Sequence, residues 1–166
     1  MERDNSSKSH HPSPLSWLAL AFGAVLALPA AGVAQGPGTE GGQWTYLGGD
    51  AWHTRYTTAD QINASNFEDL EVAWRFNAAS FGPSTPRATP SYVDGKLITV
   101  TGERRAMIAL DPATGELLWS FTEPNTGRYE DSMRYSYGKG IAYGERDGRG
   151  VAYISTPGFF LHALDV

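Results

Sequence analysis

The stretch Ala109-Leu-Asp-Pro-Ala-Thr-Gly-Glu-Leu-Leu-Trp119 decides the fold. The apolar run Met107 to Leu110 leads into it, and the next five residues are turn formers. Asp111 accepts backbone N–H bonds, Pro112 presets φ, and Gly115 tolerates a positive φ. A second apolar run, Leu117 to Phe121, then returns antiparallel and carries the indole of Trp119. The closing residues Leu161-His162-Ala163-Leu164-Asp165-Val166 begin the Ala-Leu-Asp phrase again. One hairpin is weak evidence of architecture, but a hairpin phrase that recurs is a structural repeat.

Around this phrase the strands fall into units. Residues 91–93, 96–101, 107–110 and 117–121 read as four strands, with Asp94-Gly95 as a primed two-residue turn between the first pair. Four strands in about thirty residues make one propeller blade, and a period of ~40–50 residues is the spacing of such blades. A second unit reads as strands over 140–145, 151–155 and 159–164, with residues 146–150 as a turn. Its fourth strand lies beyond Val166, so the chain is expected to be part of a longer propeller.

Three segments carry a family resemblance. Ala-Leu-Asp-x-x-Thr-Gly-x-x-x-Trp over 109–119 resembles the tryptophan-docking motif of quinoprotein dehydrogenases, which bind pyrroloquinoline quinone (PQQ). Trp44-Thr-Tyr-Leu-Gly-Gly-Asp50 resembles the N-terminal signature of that family. So do Thr54-Arg55-Tyr56, Asp60-Gln61-Ile62-Asn63, Asn66, Leu70 and Ala73-Trp74. Tyr137-Gly-Lys-Gly-Ile-Ala-Tyr143 is similar to a third family segment. The resemblance implies an all-β, eight-bladed propeller. This chain supplies the N-terminal segment 44–76, a blade over 91–121 and an incomplete blade over 140–166.

Composition agrees with an all-β reading and narrows the chemistry. The 166 residues carry a net charge of −5, 19 Gly, 10 Pro and no Cys. That mild, dispersed charge gives no nucleic-acid footprint. Without Cys there is no disulfide, thiolate nucleophile, zinc–thiolate site or covalent haem attachment. No Ser-His-Asp arrangement and no phosphate loop is present. Residues 15–28 are an uncharged apolar run followed by Pro29 and the small residues Ala30 to Ala34. Residues 1–34 therefore read as a secretory signal cleaved after Ala34, with retained membrane anchoring as the alternative. Residues 35–43 read as a flexible linker.

Further elements precede the first blade. Trp44 and Trp52 read as anchors around the Gly48-Gly49-Asp50 turn. Asn66 or Ser65 reads as the cap of a short helical turn. Residues 71–76 alternate Val72, Trp74 and Phe76 against Ala73 and Arg75, a strand pattern. Asp111 reads as a turn acceptor, Trp74 and Trp119 as packing residues, and His162 as a packing residue between blades. Residues 122–134 read as a polar loop.

Residues for chemistry come from the resemblance. PQQ is a flat tricarboxylate quinone, so its site needs cations, flat apolar faces and a divalent cation near the quinone oxygen. Lys139 stands where related dehydrogenases commonly carry a cofactor-binding Arg. The alternative for it is a solvated turn lysine. Arg87 stands where several relatives place a cofactor-contacting Glu, which leaves either a rearranged carboxylate clamp or loss of that contact. Arg134 adds a neighbouring positive charge. Met133-Arg134 also falls where some quinoproteins have an adjacent cysteine pair. No catalytic residue and no metal ligand is assigned; the resemblance places the general base and the Ca²⁺ ligands in later blades.

The reading is thus the N-terminal part of a periplasmic PQQ- and Ca²⁺-dependent dehydrogenase. Its substrate would be an alcohol or sugar and its electron acceptor a quinone or cytochrome, and the 166 residues alone are expected to be inactive. The alternative is a non-enzymatic propeller scaffold of the cell envelope with the same repeat.

Overall fold

The structure, a computed structural model, describes residues 37–85, 87–133, 138 and 140–166. The secretory signal expected over residues 1–34 lies outside the described residues, as do Arg134 and Lys139. Among the described residues no helix is long and apolar enough to cross a membrane.

Two antiparallel meanders make up the fold. The first contains β1 (Ser91–Val93), β2 (Lys96–Thr101), β3 (Ala106–Leu110) and β4 (Leu117–Phe121), in spatial order β1-β2-β3-β4. The second contains β5 (Ala142–Arg146), β6 (Arg149–Ser155) and β7 (Leu161–Asp165), in order β5-β6-β7. Sequence neighbours pair in both sheets because tight turns set each register. Asp94 and Gly95 have φ of 47° and 72°, the two positive values of a type I′ turn. That turn matches the right-handed twist of the strands and locks Val93 opposite Lys96.

The sheets pack face to face on alternate residues. Ile98 pairs with Ala109 and Val100 with Met107, so these four side chains share one face of the first sheet. They join Val93 and, from β6, Ala152 and Ile154 in one buried cluster. Trp119, Tyr143 and Leu164 pack against its edge. All five residues of β3 are buried, because that strand is central in its sheet and covered on both faces. Full burial of a side chain the size of Ile98 or Met107 contributes about 1.5–3 kcal/mol. His162 packs between the sheets: its ring lies 4.8 Å from that of Phe121 on β4 and 5.9 Å from Phe160.

The Asp111 turn is as the sequence implies. Its Oδ1 accepts from the N–H groups of Ala113 and Thr114 at 2.8 and 2.9 Å, and its carbonyl accepts from Gly115 at 2.8 Å. Gly115 has φ of 73°, and a Cβ there would overlap the ring of Trp74. Trp74 Nε1 donates to the carbonyl of Pro112 at 3.0 Å.

Several expectations need correction. Residues 71–76 run beside the Asp111 turn without forming a strand. The alternation over 71–76 puts Trp74 against the turn through its side chain, while Val72 is left exposed, so period-2 patterning reports side-chain placement here and no ladder. Asn66 precedes a 3-10 turn, Phe67–Asp69, but does not cap it. Its Oδ1 accepts from Asn63 N–H at 2.8 Å and its Nδ2 donates to Gln61 O, folding the side chain back on the preceding loop. Trp44 is an anchor through backbone bonds to Tyr92 in both directions, whereas Trp52 is exposed. Within the loop after β4, Gly127–Glu130 forms a helical turn, α1, whose Thr126 hydroxyl accepts from Tyr129 N–H.

The second sheet shows smaller differences. Its first turn is only Asp147-Gly148, again with two positive φ values (52° and 72°), so β5 and β6 extend to pair Arg146 with Arg149. β7 begins at Leu161 and runs to Asp165. The glycine-rich stretch before Trp44 is tied down. Gly38 N–H donates to the Glu40 carboxylate at 2.6 Å, which lowers the pKa of Glu40. Thr45 N–H and Ala51 N–H donate to the carbonyls of Gly38 and Pro37.

Candidate functional site

In a meander the loops alternate between two ends of the sheet. One end of the first sheet therefore holds the entrance to β1, the β2–β3 loop and the chain leaving β4. The matching end of the second sheet holds the entrance to β5 and the β6–β7 loop. These ends coincide in space. Arg105 Nη1, in the β2–β3 loop, donates to Ser155 O at 3.4 Å. The N–H of Gly158, in the β6–β7 loop, donates to both carboxylate oxygens of Glu123 just past β4, at 3.1 and 3.0 Å.

Arg87 lies at this end, just before β1. It lines an open pocket of about 720 Å³ together with Trp44, His53, Arg55 and Thr89. Its volume is in the range that holds organic cofactors and substrates. The chain on either side of Lys139 also meets this end. Gly138 packs against Val100 and Arg105, and a Cβ on Gly140 would lie 3.2 Å from the carbonyl of Thr89. Gly140 thus runs close to Thr89, one of the residues that line the pocket.

A second pocket, about 400 Å³, lies between the two sheets' loops and is lined by Arg105, Ser132, Met133, Ser155, Thr156 and Phe159. Arg105 is partly buried, which lowers its pKa, while the nearby Glu123 charge pulls the value back up. Burial of Glu123 is nearly complete, at 1% exposure. Thr156 Oγ1 donates to the carbonyl of Phe160 at 3.4 Å, so the β6–β7 loop is fixed from both sides.

Sequence reasoning named Arg87 at this end but missed its companions. Arg55 and His53 join it through a loop whose φ values no composition signal reveals. Glu123 and Arg105 were passed over because a charged residue in a polar loop is usually solvated. Asp131 caps the end of α1, and Glu130 accepts from Asn125 Nδ2 at 3.2 Å. Among the described residues no group of three or more His, Asp or Glu is placed to hold a metal ion.

Comparison with known proteins extends the geometry. The family described as PQQ: glucose/ethanol/alcohol dehydrogenase, beta-propeller domain, matches residues 44–166. The quinohemoprotein alcohol dehydrogenase of Comamonas testosteroni is 38% identical over 78 residues, 47% of this chain and 11% of its own length. The dehydrogenase subunit of the alcohol dehydrogenase (quinone) of Gluconobacter oxydans is 33% identical over 125 residues, 70% of this chain and 16% of its own. Among solved structures, a europium-containing methanol dehydrogenase superposes with a TM-score of 0.51 at 22% identity, over 74% of this chain and 23% of that one. The chain thus spans less than a quarter of each of these relatives.

Proposed function

The chain belongs to the PQQ-linked glucose/ethanol/alcohol dehydrogenase β-propeller family, and from that premise we propose that it is the cofactor-binding N-terminal part of a periplasmic dehydrogenase of alcohols or sugars. The observation that carries the proposal is the pocket at the entrance to β1, where Arg87 faces the same space as the indole of Trp44. A tricarboxylate with a flat ring system asks for guanidinium forks and an apolar plate, and these residues offer both. When bound, PQQ supplies the two-electron oxidising chemistry.

The chain's own part is to bind and orient. Arg87 would fork a cofactor carboxylate. Lys139 would place a point charge on another. Arg134 would add to the same positive field. Trp74 and Trp119 hold the blade together and take no part in the chemistry. Ca²⁺, which the family resemblance implies, would draw its ligands mostly from later blades; among the described residues no group of three or more His, Asp or Glu is placed to hold a metal ion. Export would rest on the secretory signal read over residues 1–34, and the electron acceptor would be a quinone or a cytochrome.

Titration of the protein with PQQ, followed by quinone absorbance and tryptophan fluorescence, tests this reading. Saturable binding is expected, weakened about tenfold in Arg87→Gln, the effect of one lost charge-assisted bond. Absence of any spectral change in the wild-type protein would favour the non-enzymatic scaffold instead.

A further inference from the structure

The pocket of about 400 Å³ between the loops of the two sheets has walls of unequal strength. On the side of the sheets the walls are built in. Thr156 N–H donates to Phe160 O at 3.0 Å, Arg105 reaches the Ser155 carbonyl, and Gly158 N–H is held by the buried carboxylate of Glu123. The opposite wall is Asp131 and Ser132, which follow α1 directly and are tied to it. Asp131 N–H donates to Gly127 O and Ser132 N–H to Tyr129 O, both at 3.0 Å, and Ser132 is only 7% exposed.

The turn α1 contains no buried residue. What holds it lies at its surface and comes from the loops of both sheets. The Arg104 guanidinium, in the β2–β3 loop, stands 4.5 Å from the centre of the Tyr129 ring. The Arg128 guanidinium, on α1 itself, stands 5.0 Å from the ring of Phe160 in the β6–β7 loop. Asn125 accepts from Arg104 Nη2 at 3.3 Å and donates to Glu130 Oε1 at 3.2 Å. A single helical turn has no stability of its own, so these contacts decide whether it stays in place. An exposed arginine–aromatic stack is worth on the order of the thermal energy. Segments with no buried apolar side chain and with exposed hydrogen bonds open at the low end of local unfolding free energies. The turn therefore releases long before either sheet does.

We infer that α1 is a latch: residues 125–132 open and close as one unit on the folded sheets, carrying the wall of Asp131 and Ser132 with them and admitting solutes to the pocket. Arg104 closes the latch onto the first sheet's loop and Arg128 closes it onto the second sheet's. Its closed population is thus set by both loops at once. This concerns access to the pocket between the sheets and is independent of what the pocket before β1 binds.

The chain has no cysteine, so a single introduced thiol reports the opening in the whole protein. Ser132→Cys changes one atom in the mobile wall. Ser91→Cys, on β1 and 2% exposed, is the reference for opening of a sheet. With an aromatic disulfide as the labelling reagent, Ser132→Cys should react at least about tenfold faster than Ser91→Cys. Adding Arg104→Gln or Arg128→Gln should speed Ser132→Cys by about two- to fivefold each, the share of one exposed cation–π contact. Both together should give about the product, since one opening breaks both contacts. Arg128→Lys keeps a cation for the ring and should stay near the starting rate. Ser91→Cys should ignore every one of these changes. Amide hydrogen exchange at Glu130, Asp131 and Ser132 reads the same opening without a thiol and should follow the same order. A Ser132→Cys no faster than Ser91→Cys, rates indifferent to the two arginines, or equal acceleration of both thiols overturns the latch.

Discussion

The backbone N–H of Gly158 points between the two carboxylate oxygens of Glu123, 3.1 and 3.0 Å away, in a setting where Glu123 is almost completely buried. One residue follows β4 and the other lies between β6 and β7, so this contact pins the loops of two sheets together. Arg105 lies near enough for its charge to be felt by the pair. Replacing Glu123 by Ala should cost about 2 kcal/mol, the scale for a charged hydrogen bond lost in the interior. Glu123→Gln, which keeps an acceptor, should cost less. Denaturant midpoints at constant m would measure both. Equal midpoints for wild type and Glu123→Ala would show that the contact holds nothing.

The Trp74 and Gly115 pair makes a graded prediction. Gly115→Ala must place a methyl against the Trp74 ring at a φ of 73°, so a loss of about 1–3 kcal/mol is expected. Trp74→Phe removes the N–H bond to Pro112 together with part of the ring that packs on the turn, and should cost at least about 1 kcal/mol. In the double variant the smaller ring should relieve part of the clash, giving less than the sum of the two. Strict additivity would mean that the ring and the glycine do not meet.

Much of this was legible in the sequence, because turn chemistry and strand patterning agree over residues 91–121. Asp94-Gly95 and the Asp111 turn leave one register possible, and the Ile98, Val100, Met107 and Ala109 face follows from it. The strand reading failed over 71–76, where alternation serves a single indole resting on a turn. The candidate site was half legible. Arg87 carried a resemblance, but Arg55 and His53 reach the same pocket only through positive φ angles that the local hydrogen bonds of Asp50 and Gly48 create. Glu123 was illegible for a different reason, since its burial depends on a partner loop 35 residues away.

Asp111 gives a stability effect with a definite sign in pH. The N–H groups of Thr114 and Ala113 stabilise its charged form and hold its pKa below the ordinary carboxylate value. The folded pKa is thus below the unfolded one. The contribution is complete above the unfolded value of about 3.9 and is lost as pH falls through the folded value. Asp111→Ala should therefore melt below wild type at pH 7, and the gap should close as the pH is taken below 4. A gap that stays constant on acidification would mean that the carboxylate's charge does not matter to the turn.

Tyr143 and Asp94 give the opposite sign at the alkaline end. The phenol of Tyr143 donates to Asp94 Oδ2 at 3.2 Å across the two sheets. Burial raises its pKa first, and the hydrogen bond to the neighbouring carboxylate raises it further. A folded pKa above the unfolded one stabilises fully below about 10, the ordinary phenol value, and is lost as pH rises through the folded value. Wild type should lose stability across that alkaline window, while Tyr143→Phe should show a flatter profile there. Asp94→Asn keeps an acceptor, and Asn is well suited to the first position of a type I′ turn. It should bring the phenolate absorbance titration of Tyr143 to lower pH without unfolding the hairpin. An unchanged titration in Asp94→Asn would assign the raised pKa to burial alone and remove Asp94 as a tie between the sheets.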